Sequence, residues 1–255
     1  MPYLIAGGHR LEYECVGARP DHAPTLVFLH EALGCVAMWK DFPAQVAASV
    51  GYEAFVYSRQ GYGRSAPLGQ PRTPRYVHEE ALVVLPEVLH AANIEQAILI
   101  GDSDGASIAL IHASNHAPEL LGIILEAPHV FVEDITVEGI RRAGEIYRTT
   151  DLAEKLARYH GDQTDAVFRS WHDTWLSPGF RSWNIEDCLP RITCPVMIIQ
   201  GENDEYGSIK QVEAIASQVS GPIDQLMLPD CGHTPHRDQP AATHEAMIRF
   251  IASLS

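Results

Sequence analysis

The stretch AILIGDSDGASIALIHA, residues 97–113, decides the fold. It opens on a short apolar run, AILI, of the kind that forms a strand buried on both faces, and it closes on ASIALIHA, which carries helical periodicity. Between them Gly101-Asp102-Ser103-Asp104-Gly105 fits G-x-S-x-G in a strand–turn–helix setting. Such a turn holds the serine in a strained conformation with its hydroxyl exposed, while the following helix passes close to neighbouring strands. Small flanking residues are therefore required, and Gly101, Gly105 and Ala106 supply them. A bare G-x-S-x-G in a loop is common by chance; the flanking strand and helix set this one apart.

The same strand pattern recurs on both sides of this segment. TLVFLH (25–30), EAFVYS (53–58), LGIILEA (121–127), PVMIIQG (195–201) and DQLMLPD (224–230) are short, apolar and separated by helical spacings. Near-continuous apolar strands alternating with helices indicate a parallel sheet covered on both faces. The N-terminal segment alternates through Leu11, Tyr13 and Cys15 after Gly7-Gly8, which predicts an antiparallel hairpin. Val77, Ala81, Val84, Leu85, Val88 and Leu89 predict one helix, and Ile209, Val212, Ile215, Ala216 and Val219 another. One interval breaks the short-connection rule: no strand pattern occurs between Ala127 and Pro195. It reads as helical, from Val137 to His160 and from Thr164 to Leu176, and holds three of the four tryptophans, so an inserted cap is expected there.

Composition narrows the function classes. The 255 residues fit one large α/β domain with an insertion, and 46% hydrophobic with 20% charged residues is ordinary for a packed globular protein. A net charge of −15 opposes binding to phosphate backbones and anionic membranes, so a small-molecule substrate is expected rather than nucleic acid or membrane. No apolar run reaches the length of a membrane span and the N-terminus lacks a signal-peptide pattern, which makes a cytoplasmic location the expectation. The five cysteines are scattered without CxxC spacing and read as free thiols; the oligomeric state is not encoded in any of these features.

A serine hydroxyl is a poor nucleophile at neutral pH, so a base must lie within hydrogen-bond reach and a third group must orient that base. Both should follow later in the chain. The acid candidate is Asp204 in Gly201-Glu202-Asn203-Asp204, just past the strand PVMIIQ, with Glu202 and Glu205 as neighbours and Glu126 at the preceding strand end as a weaker alternative. The base candidate is His233, after the last strand. His236 is its rival, expected to be a surface histidine.

Four motifs together resemble the α/β-hydrolase superfamily, in particular small cap-bearing serine esterases and the carbon–carbon hydrolases of meta-cleavage pathways: LHEALG (29–34), SRQGYGRS (58–65), GDSDG (101–105), and GEND (201–204) with CGH (231–233). The resemblance implies an α/β-hydrolase fold: a mostly parallel eight-stranded sheet flanked by helices, with a core over 1–128 and 191–255 and a helical cap over 129–190. It implies Ser103, Asp204 and His233 as catalytic residues, an oxyanion hole from the backbone N–H groups of Asp104 and Ala32, with Glu31 the alternative to Ala32, and no cofactor or metal. The reaction implied is hydrolysis of a small or medium carboxylic ester, lactone or thioester. Carbon–carbon cleavage of a diketone-like substrate is the competing expectation, and a slow-turnover receptor of the same fold is a third. Two departures stand out: the first loop begins His30-Glu31 instead of His-Gly, and Ser58 and Gln60 replace an aspartate and an arginine.

Glu31, His129, Trp171 and Trp175 are the candidate substrate-contacting residues, although His129 in a strand-end position and tryptophans at helical spacing more often serve packing. Trp39 is expected in the core, and Asp104 is expected to point its carboxylate away from the site. Arg141 and Arg142 form a basic pair on the cap, in reach of a substrate carboxylate if turned inward but more often solvated. His112 and His116 are four apart, yet the glutamate of H-E-x-x-H is missing, which argues against zinc.

Overall fold

The structure, a computed structural model, describes residues 2–115 and 117–254; His116 lies outside the described residues. Eight strands form one sheet in the order β1-β2-β4-β3-β5-β6-β7-β8. β1 (Tyr3–Ala6) and β2 (His9–Val16) make the hairpin predicted at Gly7-Gly8, and β2 also runs antiparallel to β4 (Glu53–Tyr57). The remaining strands, β3 (Thr25–Leu29), β5 (Ala97–Asp102), β6 (Leu120–Glu126), β7 (Val196–Gly201) and β8 (Ile223–Leu228), extend the sheet in parallel from β4. This is the topology of an α/β-hydrolase. The strand order reverses between β3 and β5, the switch point at whose carboxyl edge open α/β sheets bind ligands.

The helices are α1 (Phe42–Val50), α2 (Tyr76–Glu79), α3 (Leu85–Ala91), α4 (Asp104–Ala113), α5 (Asp134–Thr149), α6 (Leu152–His160), α7 (Thr164–Trp175), α8 (Ile209–Gln218), α9 (Pro235–Asp238) and α10 (Pro240–Ser253). Side-chain alternation along the strands divides the core into two layers. On β3, Val27 and Leu29 pack with α3, α4 and α8, whereas Leu26 and Phe28 pack with α1 and α10. Because both faces are covered, β3, β5 and β7 are buried at every position, which explains their unbroken apolar runs. Trp39 lies in the second layer, edge-on to Phe28.

Two helical expectations change in detail. The single helix predicted over 77–89 contains a π-helical turn, Glu80–Val84, between α2 and α3, at a buried Glu80 that pairs with Arg72 at 3.0 Å. The continuous cap helix predicted from Val137 to His160 is two helices. The Thr149 and Thr150 hydroxyls donate to the carbonyls of Glu145 and Ile146, and Thr150 is extended, so the chain leaves α5 there before α6 begins.

α5, α6 and α7 form the inserted cap between β6 and β7. Its entry is fixed by Gln211, fully buried on α8, whose amide accepts from the Val130 N–H at 2.8 Å and donates to the Phe131 carbonyl at 3.1 Å. Its far side is fixed by His160 at the end of α6. There the Gly63 N–H donates to Nδ1 at 3.0 Å, which leaves the proton on Nε2 to donate to the Leu33 carbonyl at 2.8 Å. Among the described residues no helix is long and apolar enough to cross a membrane.

Candidate active site

β5 ends in the strained turn that the glycines of 101–105 anticipate. Ser103 has φ 53° and ψ −110°, a conformation that aims its side chain out of the sheet edge. A Cβ on Gly105 would lie 1.9 Å from the Leu29 carbonyl oxygen, and one on Gly101 would lie 2.4 Å from the Gly105 oxygen. Only glycine lets α4 leave β5 this close to β3.

Ser103, His233 and Asp204, which come from three strand ends, meet in one hydrogen-bonded line. Ser103 Oγ is 2.9 Å from His233 Nε2, and His233 Nδ1 is 2.8 Å from Asp204 Oδ2 and 2.9 Å from Oδ1. The carboxylate is held by more than the histidine. Its Oδ1 accepts the N–H groups of Tyr206 and Gly207 at 2.7 and 3.1 Å, and its Oδ2 accepts the Gln200 amide at 2.7 Å. Burial pushes the Asp204 carboxyl up, but the His233 charge and these donors outweigh it and bring the pKa down to about 2. Conversely, burial works against a charged His233, and the Asp204 carboxylate overrides it and raises the imidazole above its ordinary range. Glu202 and Glu205, the neighbouring candidates, are exposed and make no bond to His233.

The loop after β3 carries the second part of the site. The Arg59 N–H donates to His30 Nε2 at 3.1 Å, so the His30 proton resides on Nδ1 and donates to the Glu31 carbonyl at 2.6 Å. The Arg59 guanidinium, 1% exposed as a residue, donates to the His30 carbonyl at 2.7 Å and the Glu31 carbonyl at 3.1 Å. The same guanidinium lies 3.6 Å from Asp104 Oδ2, and Asp104 also accepts the Tyr76 hydroxyl at 2.7 Å. Asp104 therefore points its carboxylate away from Ser103. The Leu33 N–H is occupied by Glu31 Oε2 at 2.5 Å. The N–H groups of Ala32 and Asp104 have no protein acceptor among the described residues.

Arg59 is the residue that the sequence reading missed. Ser58 and Gln60 stand out as departures, while the arginine between them ties the β3 loop to the helix that follows Ser103. Ser58 is not a gap either: its hydroxyl donates to the buried Glu12 carboxylate at 2.7 Å, so β2 brings a carboxylate to that turn.

A cavity of about 310 Å³ opens above Ser103. Glu31, Ala32, His129, His233 and Arg237 line its core side; Ile140, Ala143, Leu156, Trp171 and Trp175 line its cap side. Trp175 also donates its indole N–H to the Tyr76 hydroxyl at 2.8 Å, joining the cap to the Asp104 network. His129 lies 5.5 Å from the His233 ring and 5.4 Å from Trp175, and burial next to the His233 charge lowers it to about 4, so it is neutral at pH 7.

Arg141 and Arg142 are outside this cavity, on the exposed face of α5, where Arg141 is 3.8 Å from Glu138. The cation at the rim is Arg237, 3.9 Å from Glu31. Trp183 stacks on Phe180 rather than lining the cavity. His236 is buried, not on the surface, because Glu126 at the end of β6 binds it at 3.0 Å. That contact also takes Glu126 away from His233. His112 binds the Ala81 carbonyl and Glu119, and among the described residues no group of three or more His, Cys, Asp or Glu is arranged to hold a metal.

Comparison with known proteins places this geometry in context. The model of the Alpha/beta hydrolase family matches residues 26–246. The chain is 25% identical over 258 residues to a 2-succinyl-6-hydroxy-2,4-cyclohexadiene-1-carboxylate synthase of Enterobacter sp. (strain 638), covering 89% of this chain and 92% of that protein. It is 26% identical over 196 residues to the human serine hydrolase BPHL, covering 72% of this chain and 64% of that protein. Among solved structures, the enol-lactonase from Burkholderia xenovorans LB400 superposes with a TM-score of 0.77 at 19% identity, over 98% of this chain and 100% of that one. A thermophilic esterase from Thermogutta terrifontis gives 0.73 at 18% identity, over 99% and 98%.

Proposed function

The chain belongs to the alpha/beta hydrolase family and carries a serine-hydrolase active site, and from that premise we propose that it hydrolyses a small or medium carboxylic ester, or the corresponding lactone or thioester, through an acyl-enzyme on Ser103. The observation that carries the reading is the 2.9 Å contact from Ser103 Oγ to His233 Nε2 at the floor of a cavity with an apolar cap wall. Asp204 accepts a hydrogen bond from Nδ1–H, which leaves the Nε2 lone pair to take the Ser103 proton as Oγ attacks the carbonyl carbon. The oxygen that gains charge is stabilised by the N–H groups of Ala32 and Asp104, neither of which has a protein acceptor among the described residues, with the Glu31 N–H the alternative to that of Ala32; Leu33 is excluded because Glu31 Oε2 already holds its N–H. His233 returns the proton to the departing alcohol. Water, deprotonated by His233, then attacks the acyl carbon and releases the acid and Ser103.

Substrate size follows from the cavity. Its 310 Å³ is at the lower end of ligand pockets, which start at roughly 300 Å³. The cap side, through Ile140, Ala143 and Leu156, offers apolar contacts but no charge, and so suits an uncharged acyl chain. Enol-lactonase and esterase activities, named for two proteins of the same fold, use the same acyl-transfer chemistry. Steady-state hydrolysis of p-nitrophenyl esters from acetate to decanoate tests the proposal. Multiple turnovers by the wild type and their loss in a folded Ser103→Ala protein are expected; a single stoichiometric release, or full activity in Ser103→Ala, refutes it.

A further inference from the structure

We propose that Glu126 and His236 form a positioning pair that fixes the separation of Ser103 and His233. The proposal rests on Ser103 and His233 being the reacting pair. Glu126, the last residue of β6 and fully buried, holds both sides of that pair. Its backbone carbonyl accepts the Ser103 N–H at 2.9 Å. Its side-chain Oε2 accepts the His236 backbone N–H at 2.8 Å and His236 Nδ1 at 3.0 Å. His236 follows His233 by three residues, so one glutamate anchors the nucleophile's backbone and the segment that carries the base.

The pair is built into the core, beneath the cavity and outside its lining. The His236 ring packs against Trp39 with centroids 4.7 Å apart and against Phe42 at 5.2 Å, which prevents it from turning out to solvent. Neither Glu126 nor His236 lines the substrate cavity. The groups facing His236 are Glu126 from β6, Asp102 from β5 at 4.0 Å, and Arg237 beside it on α9. Burial opposes a charged His236, but Glu126 and then Asp102 override it and raise the imidazole, with Arg237 acting the other way. The hydrogen bond from His236 Nδ1 to Oε2 holds the Glu126 side chain in place without solvent. Removing one member of such a buried pair leaves the other uncompensated, so the anchor fails as a unit.

Structural support alone would change stability; positioning changes the reactivity of Ser103. The experiment compares wild type, Glu126→Ala, Glu126→Gln and His236→Phe, each checked for folding by circular dichroism. Three readouts are taken: kcat and KM on an ester, the rate of reaction with a small fluorophosphonate, and the His233 imidazole titration by NMR. Glu126→Ala is expected to lower kcat and the fluorophosphonate rate by at least about tenfold with KM within about threefold, the pattern of a loss felt in the transition state. The His233 titration should move to lower pH as its contact with Asp204 loosens. Glu126→Gln, which keeps an acceptor for the His236 N–H, should recover most of the rate. His236→Phe preserves ring packing while deleting the Nδ1 contact and should share the loss, so the test stands even if Glu126→Ala does not fold. Wild-type rates and an unmoved His233 titration in folded Glu126→Ala or His236→Phe overturn the proposal. If the wild type itself fails to react with fluorophosphonate, the hydrolase reading falls, and the His233 titration alone then decides for or against the anchor.

Discussion

Replacing Asp204 by asparagine changes one atom, and the surroundings dictate how the amide must sit. Oδ1 accepts two backbone N–H groups, from Tyr206 at 2.7 Å and Gly207 at 3.1 Å, so the amide oxygen of Asp204→Asn occupies that position. The NH2 group is forced to the Oδ2 position, 2.8 Å from His233 Nδ1 and 2.7 Å from the Gln200 amide, itself a donor. His233 then accepts at Nδ1 and carries its proton on Nε2, the nitrogen 2.9 Å from Ser103 Oγ. A protonated Nε2 cannot take the serine proton. In serine hydrolases this tautomer inversion costs about 10⁴ in kcat, about 5.5 kcal/mol of barrier at 1.36 kcal/mol per decade. The same change has a pH signature. Activity requires neutral His233, so it rises with pH through the His233 pKa, which Asp204 holds above the ordinary imidazole value. Without the carboxylate that pKa falls, and the acid limb of kcat/KM should move to lower pH even as the plateau drops. The assay is kcat and KM for a p-nitrophenyl ester between pH 5 and 9, with the fold checked separately. A kcat within about tenfold of wild type, or an acid limb that moves upward, refutes the assignment of Asp204 as the group that sets the tautomer.

Arg59→Lys keeps the charge beside Asp104 but loses the fork that binds the His30 and Glu31 carbonyls, and should lower kcat by about 10–100-fold at similar KM as the oxyanion loop loosens; stopped-flow acylation rates check it, and a wild-type burst refutes it. Trp171→Ala enlarges the cap end of the cavity, so kcat/KM for decanoate should rise relative to acetate, while fluorophosphonate still labels Ser103 at its normal rate. With Glu31 and Glu205 at the rim against a single Arg237, a neutral ester should be preferred to its carboxylate-bearing counterpart by about fivefold, on the order of 1 kcal/mol. Equal or reversed preference in matched substrates refutes that reading, and loss of the reversal in Arg237→Ala would assign the carboxylate contact to Arg237.

What the sequence made legible follows from where each constraint is local. A serine between glycines, preceded by AILI and followed by ASIALIHA, states a whole strand, turn and helix within seventeen residues. The glycines there are demanded by close backbone approaches: a Cβ on Gly105 would fall 1.9 Å from the Leu29 carbonyl oxygen. Asp204 and His233 were legible for the same reason, since each follows directly on a recognisable strand end. The supporting polar network was not, because its partners meet only through topology. Arg59 follows β4, Asp104 starts α4 and His30 follows β3; β3 lies between β4 and β5, and no spacing along the chain brings those three together. His236 makes the point in its sharpest form. Beside Arg237 and Asp238 it carries every local mark of a surface histidine, and only the pairing of β5 with β6 puts Glu126 next to the nucleophile's strand and beneath it. A buried hydrogen-bonded pair between segments 110 residues apart gives no periodic signal, yet its members must be present together, since either alone is a buried polar group without a partner. The cap boundary shows a weaker version of this effect. Helical spacing runs on through Thr149 and Thr150, and α5 ends where the Thr150 backbone turns extended, a local change that apolar periodicity does not register.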